Sequence, residues 1–136
     1  MVSFWNSTPS IQDGNLPADH FFNKLREHTL ARRQLDSSRV LKKYPDRIPV
    51  VLDRGDNKTN ELSKHKYLVP KDCTLFEFQA IIRAKLTLSS KEALYFFVGP
   101  KHVLCRASDL MQTLYDQHKD EDGFLYITFL KEATFG

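Results

Sequence analysis

The sequence predicts a single domain of the α+β class. Its 136 residues suffice for one hydrophobic core, whereas two domains of half that length would each bury little surface. Apolar residues recur at helical spacing in four segments, and four others are short apolar or alternating runs typical of strands. The order is helix, helix, strand, strand, helix, strand, helix, strand. A hairpin, a crossover helix and two later strands predict one sheet with a helix covering one face.

The N-terminal third is predicted to contain a tail and two helices. Residues 1–18 are rich in Ser, Asn, Pro and Gly without periodicity, which is typical of an irregular tail. The predicted helices cover residues 20–34 and 36–43, capped by Asp19 and Asp36. A Tyr-Pro step follows, and the residue before a proline avoids helical geometry, so residues 19–43 form the N-terminal helices.

Four strands and two further helices are predicted in the remainder. The strands cover residues 48–52, 64–69, 94–98 and 124–130, and the helices cover 75–86 and 109–117. Thr74 or Asp72 is expected to cap the first of these helices. Pro49 has no N–H to donate to a ladder. The side of its backbone nitrogen is therefore expected at an edge, at a strand start or beside a side-chain site. The predicted fold is an α+β ubiquitin-like β-grasp over residues 47–130 with two additional N-terminal helices, and 131–136 are a C-terminal tail that completes the 19–136 domain.

No pattern predicts an enzyme, a cofactor or a metal site. Phosphate-binding, dinucleotide-binding and hydrolase motifs are absent from the sequence. The close pair of His102 and Cys105 has a spacing specific to neither a metal site nor a catalytic dyad. The acidic run at 120–123 lacks the carboxylates of a calcium loop, since His118 and Phe129 stand at its first and twelfth positions. That run is predicted to be a solvated turn.

Cysteine usage favours a cytoplasmic protein, and its basic segment either is a solvated face or meets an anionic membrane or acidic partner proteins. Eight basic and three acidic residues between Phe21 and Arg47 give that segment a net charge of +5, whereas the chain carries +3. These cations are not interleaved with aromatic residues or glycines, so nucleic acid is not an expected partner. No signal peptide is visible, and two lone cysteines without CxxC spacing indicate a reduced chain.

A basic, apolar edge strand is the one candidate binding feature. Residues 64–70 (KHKYLVP) lie on the second strand, which is an edge in a β-grasp and can accept a partner strand. Two sets of residues are expected to wall pockets beside it: Pro49, Val51, Lys66, Leu68 and Phe124, and Tyr67, Val69, Pro70, Phe78 and Ile81. The alternative is that these residues belong to the core. The lysines favour a groove that selects acidic residues beside an apolar anchor.

Several stretches in one order resemble a known family. They are KKYPDRIPV at 42–50, KYLVP at 66–70, FFV at 96–98, HKDEDGFLYITF at 118–129 and the final Phe135-Gly136. From about Leu30 to its end, the chain resembles the GABARAP-like ubiquitin-like modifiers of autophagy. It departs from them at Cys73, at Phe76 and in residues 99–107, and its N-terminal extension is unusually long. These departures bear on partner preference.

The resemblance implies a modifier that is itself the substrate of conjugation. A processing or deconjugating cysteine protease exposes the glycine, and activating and conjugating enzymes then transfer it to phosphatidylethanolamine. Gly136 is the lipid-conjugation site that the resemblance implies, and the protein is cytoplasmic until lipidation places it on the autophagosome membrane. The protein is not expected to be an enzyme.

The resemblance also implies a receptor-binding groove for aromatic-x-x-aliphatic motifs beside residues 64–68. The aromatic pocket comprises Asp36, Val40, Pro49, Val51, Lys66, Leu68 and Phe124. The aliphatic pocket comprises Tyr67, Val69, Pro70, Phe78 and Ile81, with Cys73 lining it and Lys64 on the strand's edge. A rival function stays open, in which an unconjugated trafficking or microtubule-binding adaptor uses the same groove and places its basic helices on acidic tubulin tails.

Three interpretations stay open for the tail. Phe4 and Trp5 form an apolar pair in an otherwise polar segment. They either dock on the groove of the same chain or a neighbour, or touch membrane after conjugation, or belong to a disordered tail.

Overall fold

The computed structural model describes residues 3–4, 20–56, 59 and 62–133, and within these it forms one sheet and four helices. The strands are β1 (Ser3–Phe4), β2 (Arg47–Arg54), β3 (Lys66–Pro70), β4 (Glu92–Val98), β5 (Val103–Leu104) and β6 (Leu125–Ala133). The helices are α1 (His20–Arg26), α2 (Leu30–Lys43), α3 (Leu75–Leu86) and α4 (Met111–His118). The α+β, ubiquitin-like architecture with two additional N-terminal helices is confirmed.

The six strands form one mixed sheet in the order β1-β3-β2-β6-β4-β5. β2 and β3 form the expected antiparallel hairpin, and β6 lies parallel to β2 in the middle of the sheet. The β2–β6 register begins at Val50 opposite Leu125, one residue beyond Pro49. Pro49 therefore precedes the β6 ladder, and the proline is tolerated near the beginning of β2.

Two apolar clusters cover the two faces of the sheet. The larger cluster lies beside α3 and α4 and includes Val50 and Leu52 of β2 and Ile127 of β6. The smaller cluster lies beneath the N-terminal helices and includes Val51 of β2 and Tyr126 of β6. Successive strand residues point to opposite faces, so β2, β3 and β6 contribute to both clusters and are buried on both sides. β4 contributes only to the larger cluster.

α3 forms where the sequence predicts it. Thr74 is its N-cap, and a reciprocal capping box links the Thr74 side chain to the Glu77 N–H and the Glu77 carboxylate to the Thr74 N–H. Phe78 and Ile82, one turn apart, are fully buried against the sheet. Local capping and helical periodicity agree here, and Thr87 ends the helix in the left-handed conformation.

The predicted boundary between the two N-terminal helices is wrong. The break falls at residues 27–29, and Thr29 caps α2 by accepting a hydrogen bond from Arg32 N at 3.1 Å. Asp36 lies inside α2, where its buried carboxylate is 3.3 Å from Arg32 Nε one turn earlier. The aspartate's charge is satisfied within the helix, so it caps nothing. Asp19 lies outside the described residues.

Further differences concern short or extended strands. Ser3–Phe4, within the range predicted as an irregular tail, forms β1, and β5 arises where no strand is predicted. β6 continues to Ala133, which pairs with Glu92 of β4, so the predicted C-terminal tail begins as strand. β1 and β5 form because the edge of a neighbouring strand is available to pair with them. A segment of two residues has no periodicity from which a strand could be predicted.

The acidic turn at 120–123 is anchored in the fold, which corrects its prediction as a solvated turn. Asp122 is fully buried, 3.0 Å from Arg33 Nε of α2, and accepts hydrogen bonds from Tyr126 Oη at 2.5 Å and Phe124 N at 2.9 Å. Burial raises the pKa of Asp122 despite these hydrogen bonds. The turn thereby ties α2 to the start of β6.

The next residue, Gly123, has a φ of +90°, and a Cβ there would collide with the Ser37 side chain. Glycine permits this close approach, in which Ser37 Oγ donates to the Asp122 carbonyl oxygen at 2.5 Å. Across the described ranges, no helix has the length and apolar character needed to cross a membrane.

Candidate peptide-binding site

β3 is the strand on which the predicted site depends. Its inner edge pairs with β2, from Val51 opposite Lys66 to Arg47 opposite Pro70. Leu52 N donates to the His65 carbonyl oxygen at 2.7 Å, just beyond this register. Hydrogen-bonded pairs alternate along an antiparallel ladder. Tyr67 therefore bonds to β2, whereas the N–H and C=O of Lys66 and Leu68 point to the outer edge. β1 pairs with that outer edge at Leu68 and Tyr67, so β3 is not the edge strand that the sequence predicts.

The predicted aromatic pocket is brought together on the face covered by the N-terminal helices. Val40, Val51, Leu68 and Phe124 belong to one buried cluster. In the sheet, Pro49 lies opposite Leu68 and Val51 lies opposite Lys66. Asp36 precedes Val40 by one turn of α2, and Lys66 and Asp36 are both largely buried. This set therefore converges on the β2–β3 hairpin.

The predicted aliphatic pocket lies on the opposite face of the sheet. Tyr67, Val69, Cys73 and Phe78 join the larger cluster, and the Tyr67 and Phe78 ring centroids are 5.6 Å apart in an edge-to-face arrangement. Ile81 of α3 and Pro70 at the end of β3 are half-buried. An extended peptide along β3 would meet one set on each face, because its own side chains alternate as well.

Most of these side chains also belong to the core, the alternative that the sequence left open. Val51, Tyr67, Val69 and Phe78 are fully buried, and burial raises the pKa of Tyr67 well above its ordinary value. Its neutral hydroxyl donates to the Lys64 carbonyl oxygen at 2.9 Å. The more accessible rim consists of Lys64, which is exposed, with half-buried Pro70 and Ile81.

α1 is held over this region by residues that the sequence analysis missed. The Asp53 carboxylate of β2 accepts hydrogen bonds from Phe21 N at 3.1 Å and Phe22 N at 3.3 Å, so it satisfies donors in the first turn of α1 from a distant strand. His65 stacks on Phe21 with ring centroids 4.3 Å apart. The sequence signal for this contact is the carboxylate of Asp53 at the end of the apolar run of β2. A buried carboxylate needs hydrogen-bond partners, and here they come from α1.

Comparison with known proteins identifies the family. A family model described as "Autophagy protein Atg8 ubiquitin like" matches residues 32–136. Autophagy-related protein 8c of Arabidopsis thaliana is 46% identical over 111 residues, covering 81% of this chain and 92% of that protein. The chain belongs to the Atg8 family. It is a ubiquitin-like protein of autophagy.

Two further similarities extend across kingdoms and to a solved structure. Autophagy-related protein 8 of Mycosarcoma maydis is 41% identical over 111 residues, covering 81% of this chain and 92% of that protein. The crystal structure of Trypanosoma brucei ATG8 matches with a TM-score of 0.71 at 33% identity, covering 92% of this chain and 100% of that one. The Atg8 assignment thus agrees in sequence and in fold.

Cys105 of this Atg8-family chain contacts a histidine that the sequence analysis did not pair with it. Its Sγ lies 3.9 Å from Nε2 of His118. Burial raises the pKa of the Cys105 thiol, and that of Cys73, so the protonated thiol is favoured over the nucleophilic thiolate. Among the described residues, no group of His, Cys, Asp and Glu is arranged to hold a metal ion.

The approach to the C-terminus is described as far as Ala133, and Gly136 lies outside the described residues. Lys131 Nζ of β6 forms an ion pair with Glu92 of β4 at 3.3 Å. This ion pair and the pairing of Ala133 with Glu92 attach the end of β6 to β4.

Proposed function

We propose that the protein is a modifier conjugated through Gly136 to phosphatidylethanolamine, and an adaptor that binds aromatic-x-x-aliphatic receptor peptides along β3. The observation that supports this most strongly is the Atg8 family match over residues 32–136, which spans the β-grasp and reaches Gly136. Whether or not residues follow it in the encoded chain, this glycine is the proposed acyl donor.

The proposed chemistry makes the protein a substrate of conjugation. ATP-dependent activation places the Gly136 carboxyl group in a thioester on the activating and then the conjugating enzyme. The amine of phosphatidylethanolamine attacks the thioester carbonyl, an amide forms, and the enzyme's thiol leaves. Glycine suits this position because it lacks a Cβ and lets the backbone enter a narrow catalytic slot. A cysteine protease would process or reverse the conjugate.

Lipidation would convert a cytoplasmic protein into one anchored on the autophagosome membrane. Each buried CH₂ group contributes about 0.8 kcal/mol, so one acyl chain gives marginal binding and the two chains of phosphatidylethanolamine give stable anchoring.

Receptor binding is supported by the geometry of β3. The outward N–H and C=O groups of Lys66 and Leu68 suit an added strand, and the two predicted pockets flank that strand on opposite faces. Burial of ~150–250 Å² of aromatic surface yields ~4–6 kcal/mol gross at ~25 cal/mol/Å². Association costs of ~4 kcal/mol or more offset much of this, which favours micromolar affinity.

A second candidate function is favoured by the charge of α2. Arg39, Lys42 and Lys43 are exposed on this helix, where they could engage acidic tails such as those of tubulin without conjugation. Such an adaptor would not depend on Gly136.

Reconstitution with the activating and conjugating enzymes, ATP and phosphatidylethanolamine vesicles separates the two functions. We expect Gly136→Ala to slow or abolish the gel-mobility shift, deletion of Gly136 to abolish it, and both variants to bind receptor peptide normally. Lys64→Glu is the matched control, because Lys64 is an exposed rim residue whose charge reversal should weaken peptides with acidic flanks and leave lipidation intact. Lipidation of the deletion variant at the wild-type rate would favour the unconjugated adaptor.

A further inference from the structure

We propose that the N-terminal strand β1 is a tethered competitor that covers the receptor-binding edge of β3 and leaves when a peptide binds. This inference rests on the proposed receptor function and adds a regulatory element to the same site. β1 lies outside residues 32–136, the part of the chain that matches the family model. The element is therefore a property of this chain's extension rather than of the matched domain.

The pairing of β1 occupies the edge that a receptor peptide needs. β1 runs antiparallel to β3, with Ser3 opposite Leu68 and Phe4 opposite Tyr67. Leu68 faces Pro49 of β2 in a pair that exchanges no hydrogen bonds. The N–H and C=O of Leu68 therefore point outward, as those of Lys66 do. Ser3 and Leu68 thus form the kind of pair that exchanges both backbone N–H···O=C hydrogen bonds.

A strand has two edges, and β2 already holds the inner one. β1 and an added peptide strand therefore cannot pair with Leu68 at the same time. Leu68 and Tyr67 also belong to the two pockets on opposite faces, so β1 lies at the point where both pockets adjoin the strand. Competition follows from the geometry of the backbone.

The sequence at β1 also has the aromatic character of the proposed receptor peptides. β1 ends with Phe4, Trp5 follows it, and aromatic residues are the proposed anchors of those peptides. The contact is short, but β1 is joined to α1 by fifteen intervening residues. Tethers of such length give effective concentrations on the order of millimolar, so a weak strand can still compete.

The expected effect on affinity follows from the fraction of uncovered edges. The apparent Kd equals the intrinsic Kd divided by the fraction of binding-competent molecules. If β1 covers the edge in about 70–90% of molecules, removing it lowers the apparent Kd about three- to tenfold.

Two substitutions at one position test the pairing itself. Ser3→Pro removes the N–H that would donate to the Leu68 carbonyl oxygen, whereas Ser3→Ala keeps that N–H and serves as the control. A chain lacking residues 2–4 removes the strand altogether. All three changes lie outside residues 32–136, the part that matches the family model, so each variant is expected to fold like the unmodified chain.

The test combines amide hydrogen exchange with titration of a fluorescent aromatic-x-x-aliphatic peptide. In the free protein, Ser3→Pro and the deletion should speed exchange at the Leu68 amide and leave the Tyr67 amide, which bonds to β2, protected. Both should bind the peptide about three- to tenfold more tightly than the unmodified chain and Ser3→Ala.

Three outcomes would overturn the proposal in distinguishable ways. If all the proteins bind the peptide with equal, measurable affinity, β1 is not a competitor, and the proposed receptor site still stands. Leu68 protection that rises with protein concentration would mean that the strand comes from a second copy. Failure of every variant to bind the peptide would refute the receptor function, and β1 would then have nothing to compete with.

Discussion

The ion pair between Arg33 and Asp122 allows a stability prediction with a worked magnitude. The Arg33 side chain is 11% exposed and that of Asp122 is fully buried, with 3.0 Å between Nε and Oδ2. Asp122→Ala removes the partner of a buried guanidinium, a change that typically costs about 3–5 kcal/mol. It also removes the acceptor of the Phe124 N–H and the Tyr126 hydroxyl. We therefore expect a loss of at least about 3 kcal/mol, a large fraction of a typical domain's stability.

Urea unfolding followed by far-UV circular dichroism measures this loss as a shift of the midpoint at constant slope. Glu121→Ala is the matched control, because its side chain is exposed and surface changes usually stay within about 0.5 kcal/mol. Asp122→Asn keeps an acceptor for Phe124 N, so its loss of stability should lie between those of Asp122→Ala and Glu121→Ala. A loss below about 1 kcal/mol for Asp122→Ala would refute the anchoring role of the turn.

Two further predictions concern capping and ionisation. Thr74→Ala should cost about 1 kcal/mol in urea unfolding, because the Glu77 N–H loses its acceptor, whereas Thr74→Ser should cost little; equal losses would contradict the cap. Burial raises the pKa of Tyr126 above its ordinary value of about 10. Its contribution to stability is present below the unfolded pKa and is lost as pH rises towards the folded pKa, by up to about 1.4 kcal/mol per pH unit. The free energy of unfolding should therefore fall above about pH 10, and less steeply in Tyr126→Phe; an unchanged slope would contradict the assignment.

Features that depend on local sequence could be predicted from it. α3 was located because Thr74, Glu77 and the spacing of its apolar residues all indicate the same helix. The hairpin of β2 and β3 was predicted from two apolar runs separated by a polar loop. The family resemblance gave the candidate site residues, and strand alternation explains why they divide between two faces.

Features that depend on distant partners could not be predicted. The first turn of α1 donates to Asp53 of another strand, a partner that the sequence of α1 does not indicate. Asp122 looked like a solvated acid, since its partner Arg33 lies 89 residues away. β1 pairs because β3 offers an open edge, and two residues in a polar tail give no strand signal. The burial of the pocket residues depends on the whole fold.

The most direct test of the proposed function is mass spectrometry of the reconstituted conjugation product. After reaction with the conjugating enzymes, ATP and phosphatidylethanolamine vesicles, a C-terminal peptide should carry one phosphatidylethanolamine on the Gly136 carboxyl group. The same peptide from the Gly136 deletion should be unmodified. Lipid on another residue, or a fully unmodified Gly136 with all enzymes, ATP and vesicles present in excess, would contradict the account.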